Sequence, residues 1–370
     1  MSAAEKRKDY EIIQAELNDF PGIRVGQTED ADAGTGITVV LCENPAGMAA
    51  GLHIGGGGPA CRETGILDPV TTAQRIHAAV LGGGSAFGLD AAGGVMRYLE
   101  EKGIGVEVRG IHVPLVTQVD IFDLPVGNPH VRPDQAMGYA ACRMAEEDGG
   151  NYRDGNYGAG CGASVGKYAG IEHCMKSGMG SCVLRQGDLM VGAIMAVNAF
   201  GDIYDWKTGQ KIAGAHDEDG RLYDRTEMIS YMRLIDEATA AAAESASAQG
   251  AEEEQADEEY VTHSDEDALN TTIGIVFTNA PLQKPQLCKI AAMAHDGLAR
   301  SIAPVHCTCD GDSIIALSVP SGPEGNPDKK PVIAGIDTVG SLASWAVSEA
   351  ILRAVRSAES AYGLKALKDC

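Results

Sequence analysis

Thr271 heads the run Asn270-Thr271-Thr272-Ile273-Gly274-Ile275-Val276, an Asn–Thr bond followed by a β-branched stretch. A threonine hydroxyl is a weak nucleophile near neutral pH, and one way to activate it is to free its own α-amine as the neighbouring base. A cut before Thr271 would do that. About 40 residues later Asp310 and Asp312 flank Gly311, and carboxylates two apart at the start of a strand share a face. Alone, the pair also fits an acidic turn. Together with Thr271 it predicts a self-processing threonine hydrolase that cuts between Asn270 and Thr271.

Other residues offer rival chemistry. Gly162-Ala163-Ser164-Val165-Gly166 has the spacing of a nucleophile elbow, but that turn needs an apolar strand before it, and 156–161 is a glycine loop. Gly166-Lys167 ends a near-miss to a phosphate loop: Tyr168 stands where Ser or Thr would bind magnesium, and Cys161 where the first glycine belongs. What survives is a glycine-rich turn able to bring backbone amides and Lys167 to a reacting carbonyl. The glycines at 55–58 and 82–84 could cradle an anion, yet tight turns are the better reading, and nothing near Ser85 acts as its base. The nine histidines lack H-x-x-x-H and H-E-x-x-H spacing, and Cys307-x-Cys309 lacks a two-residue spacer. Neither metal nor cofactor is expected. His295 and His306 are the two histidines worth testing, with a core or surface position the simpler account of each.

These groups need a scaffold on both sides of the cut. Ile37–Cys42 and Ala49–Ile54 read as strands, Ala73–Leu81 as strand or helix, Ala86–Lys102 as an amphipathic helix, and Pro114–Leu124 as a strand. Gln135–Glu147 reads as a helix and Val191–Phe200 as a strand buried on both faces. Thr226–Ala243 is predicted to be a helix that dissolves into an acidic loop, 244–267, too charged to order itself. A strand (Thr272–Thr278), helix (Pro285–Ser301), strand (Ile314–Val319) and long helix (Val339–Ala361) follow. That last piece is too small to form a covered sheet alone, so it is expected to complete the sheets of the first. The expectation is a single α/β domain over 1–370, interrupted by one loop.

The totals narrow the class of function. The 370 residues carry a formal charge of −23, and 240–270 contributes ten acidic residues with no Lys or Arg, leaving −13 elsewhere. Nucleic-acid binding needs clustered Lys and Arg, and none appear. The charged start, Met1 to Asp19, has no apolar core of a secretory signal, and no run of 18 apolar residues predicts a membrane span. Ten cysteines then read as reduced thiols in a cytoplasmic protein.

Several segments jointly resemble one family: Arg62-Glu63-Thr64, the stretch from Gly83 to Ala92, that from Gly160 to Lys167, Val197 to Asp202, Asn270-Thr271-Thr272, Ala294 to Arg300, and Asp310-Gly311-Asp312. The chain is similar to the DmpA-type aminopeptidases and amidases, which include L-aminopeptidase/D-Ala-esterase/amidase, β-peptidyl aminopeptidases and 6-aminohexanoate-oligomer hydrolase. The resemblance implies a four-layer α/β/β/α sandwich shared with ornithine acetyltransferase. It also implies self-cleavage into an α chain of 1–270 and a β chain of 271–370, with homo-oligomers of α/β pairs. It makes Thr271 the nucleophile, Asp310 and Asp312 its electrostatic support, Asn198 part of the oxyanion site and Lys167 a neighbour of the nucleophile. Substrates would be small peptides or amides bearing a free amino group. Several relatives carry a Tyr near the position of Ile121-Phe122-Asp123, where this chain has none. Acyl transfer of the ornithine acetyltransferase type, or an uncleaved binding protein, are the alternatives.

Overall fold

Ile273, Ile275 and Phe277 point one way from their strand and Val276 the other, and all are buried. Strand geometry sends alternate side chains to opposite faces, so this strand must lie inside a sheet covered on both sides. The computed structural model, which describes residues 11–147, 150–249, 270–320 and 330–370, shows that arrangement. In chain order the principal elements are β1 (Ile12–Ala15), β2 (Ile23–Asp30), β3 (Thr35–Cys42), β4 (Ala49–Ile54), β5 (Ala60–Arg62), β6 (Ala78–Gly82), α1 (Ala91–Glu101), β7 (Val116–Asp120) and α2 (Gln135–Glu146). They continue with β8 (Met179–Gln186), β9 (Leu189–Asn198), α3 (Arg225–Gln249), β10 (Thr271–Thr278), α4 (Lys284–Ser301), β11 (Ser313–Ser318) and α5 (Ile336–Ser357).

Two sheets stack. One has the order β1-β8-β9-β10-β11-β4, the other β2-β3-β6-β7-β5. Only β10–β11 and β6–β7 pair in parallel; the other neighbours are antiparallel. Between the sheets lie Val25, Val40, Leu81 and Val119 from one and Ile194, Ile273, Ile275 and Leu317 from the other. On the outer face of the six-stranded sheet, Val191 and Ala193 meet Leu287 and Ile290 of α4 and Val347 and Ile351 of α5. On the outer face of the five-stranded sheet, Val39 and Val80 meet Val95 and Leu99 of α1 and Ala141 of α2. This is the four-layer α/β/β/α sandwich.

The C-terminal segment supplies β10 and β11 at the middle of the larger sheet and both of its covering helices, so it completes the fold begun by the N-terminal part. The ambiguous 73–81 stretch is a strand only from Ala78, where β6 is sandwiched between β3 and β7. The 86–102 helix is two pieces, a turn at Ser85–Gly88 and α1. One boundary is corrected: α3 runs to Gln249, so 244–249, expected in the acidic loop, are helical, as alanine-rich sequence favours. The remainder of that loop, 250–267, lies outside the described residues.

Candidate active site

Strand pairing brings the predicted residues together. Thr271 and Asn198 are direct cross-strand partners at the end of β9 and the start of β10. On the other side, a parallel bridge joins Asn270 to Asp310, three residues before the parallel β10–β11 ladder begins at Ile273 and Ser313 in the same register. Thr271 is 4% exposed and Asn198 is fully buried. The Thr271 hydroxyl donates to the carbonyl oxygen of Asn270, the bond predicted to break. The Gly311 amide donates to that same oxygen at 3.0 Å. A side chain at Gly311 would put its Cβ 2.8 Å from Thr271 Oγ1, so only glycine lets this amide come so close.

The two carboxylates sit in different surroundings. Asp312 accepts from the Thr272 amide at 2.7 Å through one oxygen and from the His306 amide through the other, which also lies 2.7 Å from His306 Nδ1. Asp310 accepts from the Cys307 amide at 2.8 Å, while its Oδ1 is buried with no hydrogen-bond partner. Burial, then the charge of Asp312, pushes the Asp310 carboxyl up to about 7, against the pull of the Cys307 amide and Lys167. A carboxyl poised near neutrality with one oxygen uncommitted suits proton transfer.

Asn198 is tied on three sides. Its Oδ1 accepts from Lys167 Nζ at 2.6 Å and from the Ser164 amide at 3.1 Å, and one Nδ2 proton goes to the Phe122 carbonyl at 2.8 Å. Lys167 also donates to the Asn198 carbonyl, and burial draws its ammonium down to about 8. The elbow reading of Ser164 fails locally: a 3₁₀ turn at Gly158–Gly160, not a strand, precedes it. The glycine turn delivers Lys167 instead.

The loop at 55–58 is structural and holds the carboxylates. Amides of Gly55 and Gly58 donate to the carbonyls of Asp312 and Asp310 at 2.9 and 2.8 Å. A Cβ on Gly56 would sit 2.2 Å from the Asp310 carbonyl oxygen, so a side chain there would displace the loop that carries Asp310 and Asp312.

A cavity of about 530 Å³ opens beside Asn270. Ser164, Lys167 and Asn270 form its polar end, and Phe122, Phe200 and the α3 residues Tyr231, Leu234 and Ile235 are among its apolar walls. Among the described residues Lys167 is its one charged lining group, and Asp310 and Asp312 are buried. A smaller adjoining cavity, sharing Phe200 and Ile235, is lined by Asp236, Cys307 and Cys309. Sequence reasoning missed the Gly311 amide and the α3 wall. Backbone donors leave no composition signal, and the α3 contacts depend on tertiary placement. Among the described residues no cluster of His, Cys, Asp and Glu is arranged to hold a metal ion, and no helix is long and apolar enough to cross a membrane.

A family model described as Peptidase family S58 matches residues 15–368. An uncharacterized aminopeptidase of Mycobacterium leprae (strain TN) is 36% identical, covering 94% of this chain and 92% of its own length. A 6-aminohexanoate-oligomer endohydrolase of Agromyces sp. (strain KY5R) is 28% identical, covering 91% and 84%. Among solved structures, the L-aminopeptidase D-Ala-esterase/amidase of Ochrobactrum anthropi, described as a variant of the Ntn hydrolase fold, superposes with a TM-score of 0.58. It is 18% identical and covers 92% of this chain and 86% of its own.

Proposed function

The chain belongs to peptidase family S58 and hydrolyses peptide or amide bonds, and we propose that it makes its own nucleophile by cutting itself between Asn270 and Thr271. The observation that carries this reading is the convergence of two donors, the Thr271 hydroxyl and the Gly311 amide, on the Asn270 carbonyl oxygen.

Before the cut, Thr271 nitrogen is an amide and cannot serve as a base. Asp310 takes the hydroxyl proton through its uncommitted oxygen, Oγ1 attacks the Asn270 carbonyl carbon, and the Gly311 amide stabilises the oxyanion. The proton then passes to the Thr271 nitrogen as the C–N bond breaks, leaving an ester that water hydrolyses. In the α chain 1–270 and β chain 271–370 so formed, the free α-amine replaces Asp310 as base. Lys167 and the second Nδ2 proton of Asn198 face a substrate oxyanion; one such donor is worth about 10²–10³ in rate.

The substrate is a small peptide or amide with a free amino group and an apolar body that lies along Phe122, Phe200 and Leu234. Its ammonium meets Asp236, among the described residues the one carboxylate lining either adjoining cavity. A panel of amino-acid p-nitroanilides, β-alanyl amides and 6-aminohexanoate oligomers tests this, with and without chelator. We expect chelator-insensitive turnover, and Asp236→Asn to raise KM about tenfold, the scale of one lost charge contact, with kcat nearly unchanged. Activity that disappears with chelator and returns with zinc would remove the threonine mechanism.

We also place the enzyme in the cytoplasm as a homo-oligomer of α/β pairs. A hairpin of Val106–Val108 and Ile111–Val113 exposes Val106, Val108, Ile111 and Val113, an apolar patch of the kind a second copy covers. Wild type should run as a multimer in light scattering, and Val108→Lys with Ile111→Lys should lower its mass. A monomeric wild type would contradict this assembly.

A further inference from the structure

Cys307-x-Cys309 lacks the spacing of a metal motif, but the fold sets this pair directly beside the bond proposed to break. The two cysteines take the first and third positions of a turn, 307–310, closed by the Asp310 amide donating to the Cys307 carbonyl at 3.0 Å. The Cys307 amide donates back to the Asp310 carboxyl at 2.8 Å. Both cysteines are half-buried and line the smaller cavity with Met232, Ile235 and Asp236 of α3. Cys309 Sγ accepts from Asn270 Nδ2 at 3.7 Å, while Asn270 Oδ1 is buried with no hydrogen-bond partner. This sulfur is therefore the side-chain anchor of the residue whose carbonyl Thr271 faces.

The pair has the geometry for a bond of its own. Two residues of chain separate Cα atoms by about 7 Å at most, a turn brings them closer, and a disulfide closes over about 4.4–6.8 Å. The thiols also interact. A hydrogen bond with Cys307 holds the Cys309 thiol below its usual range, helped by the Asn270 amide and opposed by burial and the charge of Asp310. That favours Cys309 as the first sulfur to react, although the disulfide is the same whichever begins.

We propose that Cys307 and Cys309 form a dithiol that hydrogen peroxide converts to a disulfide, and that this disulfide slows the cut before Thr271. One sulfur attacks the peroxide O–O bond, giving a sulfenic acid and one water. The other attacks that sulfur, closing the S–S bond and expelling a second water. The two thiols lose two electrons and two protons, and one peroxide is reduced to two waters. Small thiols reverse the step, as suits a sensor in a reducing compartment. The effect on rate rests on the proposed self-cleavage; formation of the disulfide does not. Bonded sulfurs lie about 2.05 Å apart, so closure draws Cys309 Sγ off Asn270 and twists the turn that carries Asp310. Displacing a reacting group by about 1 Å costs up to about 10² in rate.

The test has two arms. Full-length Thr271→Ala protein is treated with hydrogen peroxide, alkylated and digested with trypsin. Peptide 301–329, which holds these two cysteines and no other, should escape alkylation and weigh two hydrogens less than its reduced form, and dithiothreitol should return both thiols. A pair still reduced once the exposed Cys370 has reacted overturns the proposal. In the second arm, wild-type precursor is made by cell-free synthesis in dithiothreitol. Once oxidised it should cut itself about 10- to 100-fold more slowly than when reduced, and dithiothreitol should restore the rate. In Cys307→Ser and in Cys309→Ser no bond closes, so each variant's oxidised and reduced rates should agree. If one of them does not fold, the other decides. Oxidised wild type cutting at its reduced rate would overturn the control of cleavage, as would an equal slowing in the serine variants. A reduced wild type that never cuts would defeat the proposed function, while the peptide masses still decide the disulfide.

Discussion

Thr271→Ala is expected to remain a single chain of 38.5 kDa through prolonged incubation, whereas the wild type resolves into two chains, the smaller beginning at Thr271. The same substitution should lower amide hydrolysis by about 10⁵–10⁶, the scale on which losing a nucleophile costs when residues act as a unit. Thr271→Ser keeps the hydroxyl and should still be cut. The variant removes only a hydroxyl and a methyl from a side chain at the head of β10, so the sheet is expected to survive. Intact mass, N-terminal sequencing and circular dichroism measure all three points. Cleavage at its wild-type rate in Thr271→Ala, or a wild-type fragment starting at another residue, would refute the assignment.

Asp310→Asn carries the second large effect. If the carboxylate of Asp310 removes the hydroxyl proton, processing depends on its deprotonated form. With that carboxyl pushed up to about 7, the sign is determined: the rate is at its plateau well above pH 7 and falls about tenfold per unit below it, as the base is protonated. Asn cannot accept the proton, so the rate should drop about 10²–10⁴, the usual contribution of a general base, and its dependence on pH near 7 should vanish. The Asn side chain still fits and still accepts from the Cys307 amide, so the protein should fold. A time course of cleavage from pH 5 to 9 reads both effects. A profile in the variant that matches wild type would leave Asp310 as part of an acidic turn and nothing more.

What the sequence revealed depended on how local each signal was. Val191–Phe200 and Thr272–Thr278 declared themselves as buried strands because apolar and β-branched residues fill both of their faces. The 73–81 stretch did not, since its identity is decided by β3 and β7, neighbours distant in the chain. Thr271, Asp310 and Asp312 were legible as reactive types at suggestive spacing, and the pairing of β10 with β9 and β11 explains how they meet. The donor on the Asn270 carbonyl was not legible, because a glycine amide has no side chain to mark it. His306 stood out only as a neighbour of the carboxylates; the 3.2 Å contact of its Nε2 with His295 Nδ1 requires α4 to pack against β4. Composition counts charges without saying which are covered. Ten acidic residues lie in 240–270, while those nearest Thr271 are buried.

The central position of β10 and β11 bears on what a cut would do to the protein's thermodynamics. Within one α/β unit, the intact chain unfolds to one molecule, and no cut adds concentration dependence to that step. Severed before Thr271, it would unfold to two. Mass action would then enter, and the melting temperature would rise with protein concentration. Dissociation of the smaller chain would mean breaking ladders to β9, on one side, and β4, on the other, and stripping α4 and α5 from the sheet. The cut enzyme would owe its lifetime to slow opening rather than to an equilibrium it could readily re-establish, and refolding from separated chains would be a bimolecular reaction that the precursor never faces.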